Sequence, residues 1–227
     1  MIPVQLNIKG WHVLVVGGGK IAGRKLSKVA GQGAFITQIA PNRPEGLPKH
    51  LAFTDLGLEE GGHEDEKSPL ESETSPEVDP TERPDLIHWE QRAFRLSDLE
   101  GVQMVFAATD DPVLNEQIAT ICKGKNILVN VSTDMDQCNF HTVATIERGD
   151  LQMTLSTGGK SPALAKALKA DLETYFPASA GQDLEVLGHH REEVKATVKD
   201  TKEKKRLLTQ AANKVLDKWT SARKSHE

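Results

Sequence analysis

Short apolar runs and amphipathic stretches alternate through the first half of the chain. The runs His12–Val16, Phe35–Ala40, Leu86–Glu90, Met104–Ala108 and Ile127–Asn130 read as strands. Ala22–Gly31 and Pro112–Lys123 fit between them as helices, the second with Asp111 at its N-cap and Pro112 at its first helical position. This alternation predicts an α/β unit, a Rossmann-like doubly wound parallel sheet with helices on its faces.

The rhythm then changes. "TVATIERGDLQMTLST" reads as two strands around Arg148-Gly149-Asp150. A lone hairpin is marginally stable at best in water, so it needs a partner surface. "SPALAKALKADLETYF" starts a helix with Ser161 as N-cap and Pro162 behind it, and stacks Leu164, Leu168 and Leu172 on one stripe. Val194, Val198, Thr201, Lys205, Leu208, Ala212, Val215 and Trp219 continue at 4-3-4-3 spacing, predicting a mostly helical C-terminal segment with one modest apolar face.

Composition narrows the possibilities. With 227 residues the chain can bury a real core without disulfides, and its two cysteines, Cys122 and Cys138, lack metal-ligand spacing, so reduced thiols are expected. The N-terminal stretch lacks signal-peptide features and no run approaches a membrane span, which predicts a soluble cytoplasmic protein. The formal charge of −5 is unevenly spread. Glu59–Asp85 holds eleven acidic residues against Lys67 and Arg83, with few large apolar residues, and reads as a mobile acidic insertion. Gly188–Glu227 holds eleven Lys/Arg against six Asp/Glu. A basic region of this kind attracts polyanions, and the absence of interleaved aromatics argues against nucleic acid.

Candidate chemistry begins at "VLVVGGGKIAGRK". Gly17-Gly18-Gly19-Lys20-Ile21-Ala22 fits G-x-G-x-x-A between a predicted strand and a predicted helix, the context of a dinucleotide-binding turn. Gly17 would make the tight turn, Gly19 would admit a pyrophosphate at the helix N-terminus, and Ala22 would pack helix on strand. Adenosylmethionine binding and a plain structural turn share these features. The acidic residue that often follows about 20 residues on, at the end of the second strand, is absent from "FITQIAPNRP", where Arg43 alternatively invites a phosphorylated ribose. "FAATDD" places Thr109, Asp110 and Asp111 just past a strand's carboxyl end, where ligands bind in open α/β sheets; Asp111 reads best as a helix cap and Asp110 is free for cofactor or substrate. In "LSTGGKSPALA", Thr157, Gly158 and Gly159 lead into a helix beside Lys160, as an anion site or a plain turn. His189-His190 and His141 show no metal-ligand pairing.

"LNIKGWHVLVVGGGKIAGRK", "FAATDDPVLN" with "VNVSTDMDQCNF", and "LSTGGKSPALAKALKADLE", in this order, resemble the precorrin-2 dehydrogenase family, which includes the N-terminal module of siroheme synthases. The resemblance spans nearly the whole chain outside the acidic segment. It implies an NAD-binding Rossmann domain over residues 1–140 with the insertion at 59–85, a small dimerisation region with the hairpin over 141–176, and a helical domain over 177–227, arranged as a homodimer. The implied reaction is NAD-dependent oxidation of precorrin-2 to sirohydrochlorin in siroheme or cobalamin biosynthesis; some members also insert ferrous iron or cobalt. Gly17, Gly19, Lys20, Ile21 and Ala22 match the family's pyrophosphate turn, Ala40 and Pro41 its contact at the second strand's end, with Thr109 joining the cofactor set. Ser156, Thr157, Gly158, Gly159 and Lys160 match a stretch of the substrate cleft. The implied substrate is a polycarboxylate, which gives the basic C-terminal region a use.

One departure matters. Many members carry an Asp, proposed as acid or base, where counting from Asn130 and Phe140 gives Thr133 here; Asp134 is its neighbour. The expected catalytic carboxylates are therefore Asp134 and Asp110, with water as the alternative proton acceptor. No strong His/Cys/Asp cluster supports metal insertion, so dehydrogenation without a resident metal is expected, with a bifunctional dehydrogenase and ferrochelatase as the near alternative. A more distant rival is an NAD(H)-sensing regulatory module, which shares the glycine turn but has no need of "STGGKSPALA" or a basic helical tail.

Overall fold

A computed structural model describes residues 2–42, 53–55 and 87–224. The acidic segment 59–85, Leu86 and Arg43 lie outside the described residues. The chain divides into two compact units, Met1–His141 and Thr142–Glu227.

The first unit is built on strands β1 (His12–Val16), β2 (Phe35–Ile39), β3 (Phe53–Asp55), β4 (Ile87–Glu90), β5 (Met104–Ala107) and β6 (Leu128–Val131). All pair in parallel in the order β3-β4-β2-β1-β5-β6. Five of these strands match the apolar runs to within a residue at either end. The short edge strand β3 carries no run long enough to announce itself, and it forms by pairing Phe53–Asp55 with Ile87–Trp89. The chain leaves β1 toward β2 on one side and later returns to its other side with β5. That reversal opens a crevice at the strands' carboxyl ends.

Alternation decides which residues face which helix. Val13, Val15, Ile36, Ile87, Met104 and Phe106 project to one face, where Ala22, Leu26 and Val29 of α1 (Lys20–Val29) bury against them. Leu14, Val16, Ile39, Val105, Ala107, Val129 and Val131 project to the other, under Ile118, Ala119 and Cys122 of α2 (Pro112–Gly124) and beside Leu99 of a 3-10 turn, Leu96–Leu99. Burial pushes the Cys122 thiol up to about 11, so it stays protonated in this core. Neither cysteine forms a disulfide.

In the second unit, β7 (Ala144–Arg148) and β8 (Leu151–Leu155) form an antiparallel pair whose turn places Gly149 at φ 59°. A two-residue turn with glycine first matches the right-handed twist of the strands. Three helices follow: α3 (Pro162–Tyr175), α4 (Ala180–Thr197) and α5 (Thr201–Lys224). Gly181 lets α4 meet the hairpin, since a Cβ there would lie 2.5 Å from the Arg148 carbonyl oxygen.

The C-terminal periodicity predicted a mostly helical segment, and the structure builds it as two helices with a break between them. Val198 turns extended, at φ −92° and ψ 127°, and the Asp200 carboxylate accepts from the Glu203 N–H at 2.8 Å, starting a new helix. Helices α4 and α5 then pack together, with Asp183 accepting from Lys218 Nζ at 2.6 Å and Trp219 Nε1 at 2.7 Å. Phe176 meets Trp219 edge to face with ring centroids 6.0 Å apart.

The Lys218 and Trp219 hydrogen bonds hold the Asp183 carboxyl below its usual range. A depressed carboxylate lends stability above its unfolded value and loses it as pH falls through the folded one. Acidification below about pH 4 should therefore shift the Trp219 fluorescence before the helices melt, and Asp183→Asn should abolish that step. An unchanged acid step in the variant would assign it to another group.

Candidate functional site

The crevice holds a cavity of about 760 Å³ walled by the β1–α1 turn, the end of β2, the segment after β4 and the segment after β5. All of its lining residues belong to the first unit.

The glycine turn is shaped from two directions. Gly17 sits at φ 123°, and a Cβ there would lie 2.3 Å from the Ala108 carbonyl oxygen, so only glycine passes between β1 and the end of β5. Its N–H donates to Ile39 O at 2.9 Å, and its carbonyl accepts from Gln38 Nε2 at 2.8 Å. Gln38 is fully buried. A buried amide on β2 thus fixes the peptide that aims the turn.

Gly19 differs. At φ −80° it caps α1 without a side-chain hydrogen bond, and a Cβ there would meet nothing within 4 Å. The fold does not require glycine at this position, and the open space lies at a helix N-terminus whose first turn carries no acidic residue. Helix dipole and unpaired N–H groups favour an anion in such a place. The residues present therefore fit a dinucleotide's pyrophosphate. Lys20 and Ile21 line the cavity, exposed, whereas Ala22 is buried and serves packing.

After β5, Asp111 caps α2 as its position predicted, accepting from Val113 N at 2.9 Å and Leu114 N at 3.2 Å. Asp110 stays exposed and lines the cavity with Thr109. The buried Asn115 clasps Thr109: its Oδ1 lies 2.8 Å from Thr109 Oγ1 and accepts the Thr109 N–H at 3.2 Å, while its Nδ2 donates to Thr109 O at 3.0 Å. Sequence reasoning passed over both Gln38 and Asn115. An amide in an otherwise apolar strand or helix face is the signal that points to each.

The third wall joins β2 to β4. Ala40 N and Arg92 N both donate to Glu90 O, at 3.2 and 2.9 Å, so the chain after β4 turns back beside Ala40, Pro41 and Asn42. Trp89 Nε1 donates to Ala40 O at 3.2 Å. Arg92 lines the cavity, and its guanidinium binds both Asp98 oxygens, at 2.7 and 2.9 Å, as well as the Glu90 carboxylate. These partners, Asp98 first, raise its pKa above the usual arginine range.

Asp134 is placed elsewhere. Its Oδ1 accepts from Asp136 N at 2.8 Å in an exposed turn, and neither it nor Thr133 lines the cavity. The segment around it covers the edge strand β6. Asn139 Oδ1 accepts Val129 N at 2.7 Å and its Nδ2 donates to Ile127 O at 2.9 Å, while Cys138 Sγ lies 3.1 Å from Val131 N. These contacts satisfy edge groups that would otherwise be open to another chain.

The substrate candidates lie in the second unit. Ser156, Gly158, Gly159 and Lys160 are exposed, with Ser156 Oγ accepting from Gly158 N at 3.2 Å. Thr157 Oγ1 accepts from Ser161 N at 3.3 Å, and Ser161 Oγ caps α3 by accepting from Leu164 N at 3.2 Å. Among the described residues no group of three His, Cys, Asp or Glu side chains is poised around a metal position. No described helix is long and apolar enough to cross a membrane.

A parallel sheet with its glycine turn, open helix N-terminus and crevice defines a nucleotide-binding α/β protein. Residues 4–144 match the family described as "Putative NAD(P)-binding", which is more than half of the chain, and the chain belongs to that family. Residues 148–175 match the family described as "Sirohaem biosynthesis protein central". Among curated relatives, the siroheme synthase of Photorhabdus laumondii is 29% identical over 93% of this chain and 38% of its own length. Siroheme synthase 1 of Serratia proteamaculans is 31% identical over 91% of this chain and 37% of its own length. The chain thus spans less than half the length of these relatives. The solved structure of SirC, precorrin-2 dehydrogenase, superposes with a TM-score of 0.64 at 25% identity, covering 99% of this chain and all of that one.

The two glycines make opposite predictions. Gly17→Ala should cost roughly 1–3 kcal/mol of stability, because the turn or the end of β5 must move. Gly19→Ala should leave the melting temperature nearly unchanged while weakening dinucleotide binding severalfold, read by titration of NADH fluorescence. Equal losses of stability in the two variants would contradict the assignment of Gly19 to the ligand.

Proposed function

We propose that the chain is an NAD-dependent precorrin-2 dehydrogenase, forming sirohydrochlorin on the route to siroheme or cobalamin. The observation that carries this reading is the crevice itself, with its glycine turn and open helix N-terminus, in a chain similar over 99% of its length to a solved precorrin-2 dehydrogenase. Bound in the cavity, the nicotinamide dinucleotide supplies the hydride acceptor. The chain's part is to hold it and to receive the proton.

Gly17, Gly19, Lys20 and Ile21 form the cradle, with Ala22 packing the helix beneath it and Ala40, Pro41 and Thr109 around it. Asp110 is the first candidate for proton acceptor, because its exposed carboxylate lines the same cavity. Asp134 is the second, on the strength of its neighbour's place in the family pattern. Ser156, Thr157, Gly158, Gly159 and Lys160 take the polycarboxylate substrate, and the cations of the C-terminal helices attract it. A homodimer is supported by the second unit: the hairpin has two strands only, α3 buries no residue, and its Leu164 and Leu168 stand 51% and 36% exposed.

Anaerobic incubation with precorrin-2 and NAD should yield NADH and the sirohydrochlorin spectrum; no turnover with NAD or NADP would overturn the proposal. Asp110→Ala should lower turnover by about 10²-fold with dinucleotide affinity retained. If Asp110→Ala and Asp134→Ala both keep full turnover, neither carboxylate is the essential base. Sedimentation should show a dimer that Leu164→Glu with Leu168→Glu dissociates.

A further inference from the structure

Among the described residues the end of β2 supplies no acidic side chain to the cavity: Ala40, Pro41 and Asn42 stand there. In a dinucleotide site of this topology the adenosine ribose approaches this end. Arg92 lines the cavity on the same side, brought beside Ala40 by the shared hydrogen bonds to Glu90 O. A guanidinium at a ribose wall ordinarily welcomes a 2′-phosphate. Here it is already engaged.

We propose that Glu90, Arg92 and Asp98 form a ribose-selectivity element of this site, in which two carboxylates occupy a cation that, among the described residues, stands beside the end of β2. Asp98 takes Arg92 in a bidentate grip at 2.7 and 2.9 Å, with its side chain 7% exposed. Its Oδ2 also accepts from Arg95 N at 2.6 Å, which anchors it to the 3-10 turn and fixes the guanidinium's plane. Glu90 is the more open partner, 31% exposed, and is the register neighbour of Ile39 on β2. Two carboxylates against one guanidinium leave one net negative charge on this three-residue cluster behind the cavity wall. A ribose hydroxyl tolerates that charge, whereas a 2′-phosphate is repelled by it and finds both terminal nitrogens of Arg92 already engaged. Asp98 is thus a positioning residue for Arg92, and Glu90 sets the sign of the local charge.

The inference rests on the proposed dinucleotide site and deepens it. Titrations of NADH and NADPH by ligand fluorescence, without substrate, separate the two. Wild-type protein should prefer NADH, and Glu90→Gln should narrow the NADH:NADPH affinity ratio by about tenfold, chiefly by strengthening NADPH binding once the cluster loses its net negative charge and Arg92 its second carboxylate. In Glu90→Gln/Arg92→Ala that gain should vanish, an outcome that a merely structural role for the cluster would not produce. The proposal is overturned if wild-type protein prefers NADPH, if Glu90→Gln leaves the ratio unchanged, or if the double variant keeps the gain. Failure of wild-type protein to bind either dinucleotide would instead overturn the cofactor reading itself. Melting temperatures of all variants identify any loss of fold, and Glu90→Ala serves as the replacement should the glutamine variant be unstable.

Discussion

The first unit turns on a contact between backbones. β1 must deliver its turn against the end of β5, and at Gly17 the space to the Ala108 carbonyl excludes even a methyl group. That approach sets the crevice, because β1 and β5 are the strands on either side of the topological reversal. The close fit also explains why the turn needs a tether. Gln38 holds the Gly17 carbonyl from β2 while Ile39 O takes its N–H, so the turn is anchored to one neighbouring strand and sterically confined by the other. With the turn immobilised, the helix that follows presents its N-terminus to the cavity, and the anion-favouring field is fixed in direction.

The walls of the cavity are held by the same device. Polar side chains whose chemistry is spent inside the protein position the groups left free for ligand. Asn115 clasps Thr109, and Asp111 is committed to α2, which leaves Asp110 as the unspent carboxylate of that segment. Asp98 fixes Arg92, and Glu90 shares its charge. Along β6, Asn139 and Cys138 close the sheet edge with the stretch that contains Thr133 and Asp134. This stretch has a structural occupation that its family pattern does not disclose, which gives physical content to the shift between Thr133 and Asp134.

The second unit depends on fewer buried contacts. Its helices are pinned by Asp183 to Lys218 and Trp219, and by the approach of Gly181 to the hairpin turn, while α3 keeps its leucine stripe open. A hairpin and a leucine-bearing helix in that condition bury too little surface to account for their own order.

What the sequence by itself determined is what local physics writes along a few neighbouring residues. The alternation of strand and helix, the caps at Asp111 and Ser161, the glycine-led hairpin turn and the G-x-G-x-x-A spacing each follow from one segment's own backbone needs. The break between the two C-terminal helices at Val198 was also written locally, in the Asp200 cap, although the apolar spacing runs on across it. Tertiary structure alone decided the partners. Gln38 with Gly17, Asn139 with Val129, and the turn after β4 that brings Arg92 beside Ala40 all depend on strand order and register. Such pairings are set by which strands the whole core brings side by side, since a buried amide or guanidinium can satisfy itself on many acceptors and only packing selects one.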